Sequence, residues 1–281
     1  MMSIVLSHFQ ARPLLEARRE GKSAALTSLD LNRTQSEVRL EPQGVVFPDG
    51  QRLAWADVEA IADNDSTCFL VQGSTPQRIQ FFSESLNRFY SLMPTERAPT
   101  MLVAGFLMHR IKGIDPDEDT QRKVAAIAPI TGRVLDVCTG LGYTAIAAAK
   151  TASQVITIEL DPTALEVARL NPWAQALFES PKIRQIVGDA AVEIAKLEDE
   201  SFHRIFHDPP TFSLAGQLYS GAFYRQLFRV LKRGGRLFHY IGDLESASGS
   251  GVAKGAVRRL QEAGFGRVQR RPEAFGLVAF K

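Results

Sequence analysis

Four carboxylates in the second half of the sequence each end a short apolar run. Asp136 lies in "VLDVCTGLGYT", Glu159 in "VITIELDP", Asp189 in "IVGDAAVEI" and Asp208 in "RIFHDPP". A carboxylate at the tip of a buried segment can attract a cation or accept hydrogen bonds from a ligand. The last of the four opens the stretch "HDPPTFSLAGQLYS", residues 207–220. Each of its prolines fixes φ, lacks an N–H donor and pushes the residue before it to extended geometry. The loop is therefore either a rigid turn or a rim that holds a carboxylate and a carbonyl in fixed positions.

The first run carries glycines at 140 and 142, and Gly140 to Ala145 fits the G-x-G-x-x-A pattern of a nucleotide-binding turn. Glycine there lets backbone N–H groups approach a ligand closely. Asp136 separates this turn from a dinucleotide site, because a carboxylate so near would repel a pyrophosphate. It suits a cationic ligand instead, such as S-adenosyl-L-methionine with its sulfonium and ammonium; the alternative is a strand-end aspartate capping the loop. Glu159 falls about twenty residues after Gly140, where a carboxylate meets ribose hydroxyls. Asp161 is placed to cap a helix that begins with Pro162. Asp189 either accepts from an adenine amino group or is a helix N-cap.

The elements that must position these groups alternate from about residue 117 onward. Strands are expected at "RVLDVCT", "QVITIEL", "IRQIVG", "FHRIFHD" and "RLFHYIG". Helices are expected at "GYTAIAAAKTA", "DPTALEVARLNPWAQAL", "DAAVEIAKL", "YSGAFYRQLFRVLKRGG" and "VAKGAVRRLQEAG", before a closing hairpin of "GRVQRRPEA" and "FGLVAF". This rhythm predicts an α/β fold with a doubly wound, Rossmann-like, mainly parallel seven-stranded sheet over residues 116–281. Ligands of such sheets bind beyond the carboxyl ends of the strands. Residues 1–115 read differently, as short β-like runs with turn chemistry at "PDG" and "QGSTP", the helical segment "AWADVEAIAD" and an amphipathic segment near the start. They predict a small α+β or β-rich N-terminal domain that either presents substrate or makes a homodimer.

Composition narrows the class. Hydrophobic residues are 45% and charged residues 23% of 281, the balance of a globular protein. No apolar run is long enough to span a bilayer and no secretory leader is evident, so a cytoplasmic protein without a membrane partner is expected. The two cysteines, Cys68 and Cys138, exclude a disulfide framework or zinc ribbon. No His/Cys/Asp spacing suggests a metal. A net charge of +2 is too balanced to argue for nucleic acid by itself. The tail is locally basic, with Lys254, Arg258, Arg259, Arg267, Arg270 and Arg271. Such a run is a solvated face or a phosphate-binding patch.

Taken together, "VLDVCTGLGYT", "VITIELDP", "VGDA" and "HDPP" resemble the class I S-adenosylmethionine-dependent methyltransferases. That resemblance covers about residues 117–281. It implies that Asp136, Cys138, Thr139, Gly140, Gly142, Tyr143 and Thr144 surround the methionine part of the cofactor. Glu159 and Leu160 would meet the ribose side, and Gly188, Asp189 and Ala190 the adenine. Asp208, Pro209 and Pro210 would grip a planar amino or amide nitrogen, with Phe212 and Tyr219 against the acceptor. RNA is the acceptor class this suggests, and Thr211 stands where an aromatic is usual. Neither cysteine lies in a loop suited to cytosine C5 chemistry. The pieces "TSLDLNRTQSEVRL" and "MHRIKGIDPDEDTQRKV" look similar to predicted methyltransferases, mostly archaeal, with a small extra N-terminal domain. In that comparison the segment from His109 either covers the cofactor or is a linker. The run "LYSGAFYRQLFRVLKRGGRLFHY" also resembles polyamine aminopropyltransferases, in which Asp208 would meet a polyamine nitrogen. The triple-glycine loop and dense acidic residues of those enzymes are missing here.

Overall fold

The computed structural model describes residues 3–212 and 214–281. The chain divides into two compact units. The first comprises residues up to Asp117 together with Thr163–Gln175; the second comprises Glu118–Pro162 and Ala176–Lys281.

The first unit is built on antiparallel strands. Ile4–Leu6, Phe69–Gln72 and Thr75–Arg78 form a three-stranded sheet. One four-stranded meander runs Ala24–Thr27, Ser36–Glu41, Gly44–Val46 and Arg52–Ala54. Another runs Gln80–Ser83, Arg88–Met93, Thr100–Val103 and Phe106–Leu107. The last two of these strands form a hairpin within the stretch "TMLVAGFLMH", where Ala104 and Gly105 both adopt positive φ, at 50° and 83°. That pair is what a two-residue hairpin turn requires. Ser7 and Gln10 form a capping box that starts the helix His8–Arg19. Leu14 of that helix is buried in a core shared with Val38, Leu53, Val58 and Ile61. Trp173, from the later segment, donates its indole N–H to the Leu31 carbonyl at 2.9 Å.

The second unit carries the seven-stranded sheet. Its strands are β1 (Arg133–Val137), β2 (Gln154–Glu159), β3 (Ile183–Val187), β4 (Phe202–His207), β5 (Leu231–Tyr240), β6 (Arg267–Arg271) and β7 (Gly276–Phe280). Their order is β3-β2-β1-β4-β5-β7-β6. Only β7 runs antiparallel to its neighbours, the strand the closing hairpin was expected to supply. The order reverses between β1 and β4, which opens a crevice at the carboxyl ends of those strands. Phe202, Ile205, Leu237 and Leu277 are buried in the core, and burial of each large side chain contributes about 2–3 kcal/mol.

The helices used below are α1 (Pro116–Ala126), α2 (Tyr143–Ala149), α3 (Pro162–Leu170), α4 (Gly221–Val230) and α5 (Ala247–Glu262). Helix α3 begins with Pro162, as its sequence predicts. Helix α4 stops at Val230, earlier than the apolar periodicity suggests, because Leu231 already pairs with Phe202 in the sheet. The stretch "DAAVEIAKL" gives only a short helix, Ala190–Glu193, and a 3-10 turn, Ile194–Lys196.

Gly142 is the N-cap of α2 in left-handed geometry, at φ 76°. A Cβ added there would lie 2.6 Å from Leu177 Cδ2 and 2.9 Å from Cδ1. Gly142→Ala therefore combines left-handed strain of about 1–2 kcal/mol with a clash against a fully buried leucine. The expected loss is about 2–4 kcal/mol, read as a lowered urea midpoint with unchanged m-value.

Candidate functional site

Asp136 and Asp208 lie on the two strands that flank the reversal. Asp136 pairs in register with Phe206 of β4, and the Asp208 N–H donates to the Val137 carbonyl at 3.3 Å. The sheet itself therefore brings the first and fourth motifs together.

Asp136 is fully buried. Its two oxygens accept from the hydroxyls of Thr144 and Thr157, each at 2.6 Å. The Thr157 hydroxyl uses its hydrogen in the bond to Asp136, so Thr139 donates to Thr157. Asp136 is thus anchored from β1, the glycine turn, α2 and β2 at once. Burial raises its pKa to about 7; the two threonines pull it down, while the charges of Asp208 and Glu159 push it up.

Glu159 ends β2. Its Oε2 accepts from the Gly140 N–H at 2.8 Å and its Oε1 from the Asp161 N–H at 3.1 Å. One side chain therefore holds the first glycine turn against the tip of the second strand. Each carboxylate oxygen has a second lone pair, so these bonds leave Glu159 able to accept from ribose hydroxyls. Burial raises its pKa above the usual glutamate value, against its backbone N–H partners.

Asp189 is the N-cap of the short helix after β3 and accepts from the Ala191 N–H at 2.8 Å. Val187, in register with Glu159, is 52% exposed, as are Leu160 (49%) and Val192 (54%). Three exposed aliphatic side chains thus flank the two carboxylates. Next to Gly188, Glu193 lies so close that an added Cβ would sit 2.9 Å from its Oε1.

Cys138 lies just past β1 in left-handed geometry, φ 70°. The N–H groups of Cys138 and Thr139 both donate to the Ile158 carbonyl. Burial raises the Cys138 thiol well above its ordinary value, so it is a neutral packing group and not a nucleophile.

The Asp-Pro-Pro loop is fixed from two sides. The Tyr219 hydroxyl donates to the Pro210 carbonyl at 3.0 Å. Arg259 of α5 donates to the Tyr219 carbonyl at 2.8 Å. Tyr219 is only 2% exposed, so the residue expected against an acceptor instead braces the loop. Phe212 is 53% exposed and meets Tyr219 edge-on, with ring centroids 5.4 Å apart. It stands where it can still meet a planar ligand.

His207 does not orient Asp208. Its Nε2 donates to the Leu218 carbonyl at 3.0 Å, and burial lowers its pKa to about 4. His239 donates from Nδ1 to the His207 carbonyl, which leaves its Nε2 to accept from the Tyr224 hydroxyl at 2.8 Å. Burial holds His239 neutral as well. The two imidazoles and Tyr224 form a buried polar brace beneath the loop.

Sequence reading misses two groups at this site, Lys123 and Thr157. Lys123 of α1 is buried, with Nζ 2.6 Å from Asp208 Oδ2 and 2.9 Å from Asp119 Oδ2. Its ammonium lies 4.6 Å from the Tyr240 ring centroid. Burial works against its charge, but Asp208 and Asp119 outweigh burial and raise its pKa. In turn, burial lifts the Asp208 carboxyl above the ordinary aspartate range, with Lys123 pulling the other way. The one available signal was the i, i+4 spacing of Asp119 and Lys123. Thr157 was also missed; a hydroxyl inside the apolar run "VITIEL" was its clue.

The strand order, the glycine turn and the carboxylates at the strand ends define a methyltransferase-type α/β domain, and residues 134–235 match the family described as a methyltransferase domain. The chain belongs to the same family as the uncharacterized protein MJ1233 of Methanocaldococcus jannaschii, to which it is 41% identical over 260 residues. That alignment covers 90% of this chain and 88% of that protein. Among solved structures, spermidine synthase from Thermotoga maritima shares the fold at a TM-score of 0.56 and 18% identity, over 71% of this chain and 70% of that one. A spermidine synthase in complex with the transition state analogue AdoDATO gives 0.58 and 19%, over 71% of each chain. MNMC2 from Aquifex aeolicus gives 0.51 and 18%, over 66% of this chain and 68% of that one. Among the described residues no helix is long and apolar enough to cross a membrane.

Proposed function

We propose that this protein is an S-adenosylmethionine-dependent methyltransferase that transfers a methyl group to an amino or amide nitrogen, with RNA as the acceptor class, in the cytoplasm. The observation that carries this reading is the fully buried carboxyl of Asp136, set close to Glu159 and Asp208 at the β1–β4 reversal with two threonine hydroxyls as its hydrogen-bond partners. Asp136 is pushed up to about 7, chiefly by burial and further by the charges of Asp208 and Glu159. Carboxylates that repel one another inside a protein are relieved by a bound cation. A sulfonium beside an ammonium is such a ligand, and a pyrophosphate is not.

When bound, S-adenosylmethionine supplies an activated methyl group. The residues that would hold it are Asp136 with the glycine turn at its methionine end, Glu159 at the ribose, and Asp189 with Leu160, Val187 and Val192 about the adenine. Asp208 would accept a hydrogen from the acceptor nitrogen and fix the direction of its lone pair. Catalysis of this kind works by orientation and electrostatics more than by proton affinity. RNA is supported by the Asp-Pro-Pro loop and by the basic residues of α5 and β6, by analogy. Of those, Arg259 is committed to Tyr219, Arg270 donates to the Leu244 carbonyl, Arg271 donates to Gln269 and Arg258 faces Glu262, so Lys254 and Arg267 are the better candidates for phosphate contacts.

A second reading, aminopropyl transfer from decarboxylated S-adenosylmethionine, draws on the fold shared with spermidine synthase and on the tyrosine-led helix after the Asp-Pro-Pro loop. Calorimetric titration with the two sulfonium compounds separates the readings. Methyl transfer predicts tighter binding of S-adenosylmethionine, whose carboxylate the decarboxylated compound lacks. Preference for the decarboxylated compound would overturn it in favour of the second reading.

A further inference from the structure

The Lys123–Asp208 ion pair bears on what kind of nitrogen the site accepts. Lys123 has three N–H donors. One is donated to Asp208 Oδ2, at 2.6 Å; the ammonium is also ion-paired with Asp119 Oδ2, at 2.9 Å, and lies 4.6 Å from the centre of the Tyr240 ring. Its side chain is 3% exposed, against 20% for Asp208. The lysine is therefore sealed behind the carboxylate, and the carboxylate alone presents an edge. Burying an ammonium is expensive unless its partners are well placed, and removing one partner leaves an unpaired charge. Both partners here are set by rigid parts: Asp119 one helical turn before Lys123 in α1, and Asp208 at the end of β4 between Val137 and two prolines.

We infer that Lys123 is a specificity-determining residue that neutralises Asp208 and so selects an uncharged planar nitrogen as acceptor, excluding aliphatic ammonium groups such as those of polyamines. This rests on the assignment of Asp208 to the acceptor side. A second cation approaching Asp208 meets an attraction that the ammonium just behind the carboxylate largely cancels. An uncharged N–H donor loses nothing, because Asp208 can still accept a hydrogen bond. The chemistry agrees. An aliphatic ammonium must give up a proton before its lone pair exists, and a carboxylate held by a lysine is a poor base for that. A planar amino or amide nitrogen carries its lone pair already and needs only to be oriented. In transfer, that lone pair forms the N–C bond as the S–C pair returns to sulfur. The N–H proton, now on a cationic nitrogen and strongly acidic, passes to the Asp208 carboxylate and then to water. Lys123 touches none of the reacting atoms and acts through Asp208, as a positioning residue.

The test uses putrescine as the cationic probe, titrated by calorimetry at pH 8 into the full-length protein with and without S-adenosylhomocysteine. Wild type is expected to bind putrescine no tighter than the millimolar range. Lys123→Met, which frees Asp208, is expected to bind it at least tenfold tighter. Should Lys123→Met fail to fold, the double variant Asp119→Asn/Lys123→Met removes one charge of each sign and keeps the same expectation. Micromolar binding by wild type, or a gain below tenfold in the folded variant, overturns the inference. A lysine of purely structural importance would lower stability without creating affinity for a diamine. Binding of S-adenosylhomocysteine in the same titrations tests the cofactor reading separately, since its absence would sink that reading whatever putrescine does.

Discussion

Asparagine in place of Asp136 is expected to lower the affinity for S-adenosylmethionine about 100-fold at pH 8 and yet to make the free protein more stable. Both effects follow from one buried charge. A carboxylate about 6 Å from a cation, at an effective dielectric of ~20, contributes about 3 kcal/mol, which is about 100-fold in affinity. Asparagine keeps the shape. Its amide oxygen still accepts from one threonine, and its NH2 donates to the other, whose hydroxyl turns toward Thr139. The stability gain has a definite sign. The pKa of Asp136 in the folded chain, about 7, lies above the unfolded value. Its favourable contribution is therefore full below about pH 3.9 and is withdrawn as pH rises through 7. At pH 8 the wild type bears the burden of a buried anion that asparagine lacks. At about 1.4 kcal/mol per tenfold change in proton affinity, the gain reaches up to about 4 kcal/mol. Urea denaturation and calorimetry on the same samples check the pair of outcomes. The wild type should also lose about tenfold in affinity between pH 8 and pH 6, where binding must first expel the Asp136 proton. The asparagine variant should lack that part of the pH dependence. A variant that binds as tightly as wild type would remove Asp136 from the cofactor site.

The second large effect falls on turnover. Asp208→Ala should reduce methyl transfer by about 10²–10⁴-fold while leaving S-adenosylmethionine affinity within about threefold. Asp208 follows the end of β4 beside the reversal, its proposed place is on the acceptor side, and its carboxylate is paired with Lys123. Loss of the side chain removes the group that would orient the nitrogen but leaves Asp136, Glu159 and Asp189 in place. The variant also leaves Lys123 with Asp119 as its anionic partner among those named above. Asp208→Asn serves as the folded control, because its amide oxygen can still accept from the lysine. Transfer is read as S-adenosylhomocysteine formed in the presence of unmodified RNA, and affinity by calorimetry. A collapse of cofactor affinity in Asp208→Ala comparable to that of Asp136→Asn would move Asp208 to the cofactor side.

The parallel strands were legible because each is an apolar run ended by a carboxylate or a glycine, and period and punctuation agree there. The site carboxylates were legible for the same reason: a charged residue at the tip of a buried strand stands out against its neighbours. What could not be read was which groups the fold would bury opposite them. Lys123 looks like one more charge in "DPDEDTQRKV", and only tertiary packing turns its side chain inward onto Asp208. Tyr219 was misjudged in the same way. An aromatic after a catalytic-type loop suggests a pocket wall, but its hydroxyl found the Pro210 carbonyl first. In the N-terminal unit, "QGSTP" was read as a turn, and Gly73–Ser74 do make the turn of a hairpin; what was not read is that its end continues into the edge strand Thr75–Arg78. Proline is tolerated at an edge, where no ladder donor is required. Sheet partners there join residues as distant as Ile4 and Val71, and no local pattern records such a pairing.

The N-terminal unit is discontinuous, since Thr163–Gln175 belongs with the residues up to Asp117. On the ribosome this inverts the usual order of events. The region synthesised first cannot finish its own structure until about sixty further residues have been translated, among them β1, the glycine turn and β2. By the time Trp173 emerges to reach the Leu31 carbonyl, Asp136 and Glu159, the first two carboxylates of the candidate site, already exist in the nascent chain. Completion of the early unit is therefore tied to synthesis of the first half of the site.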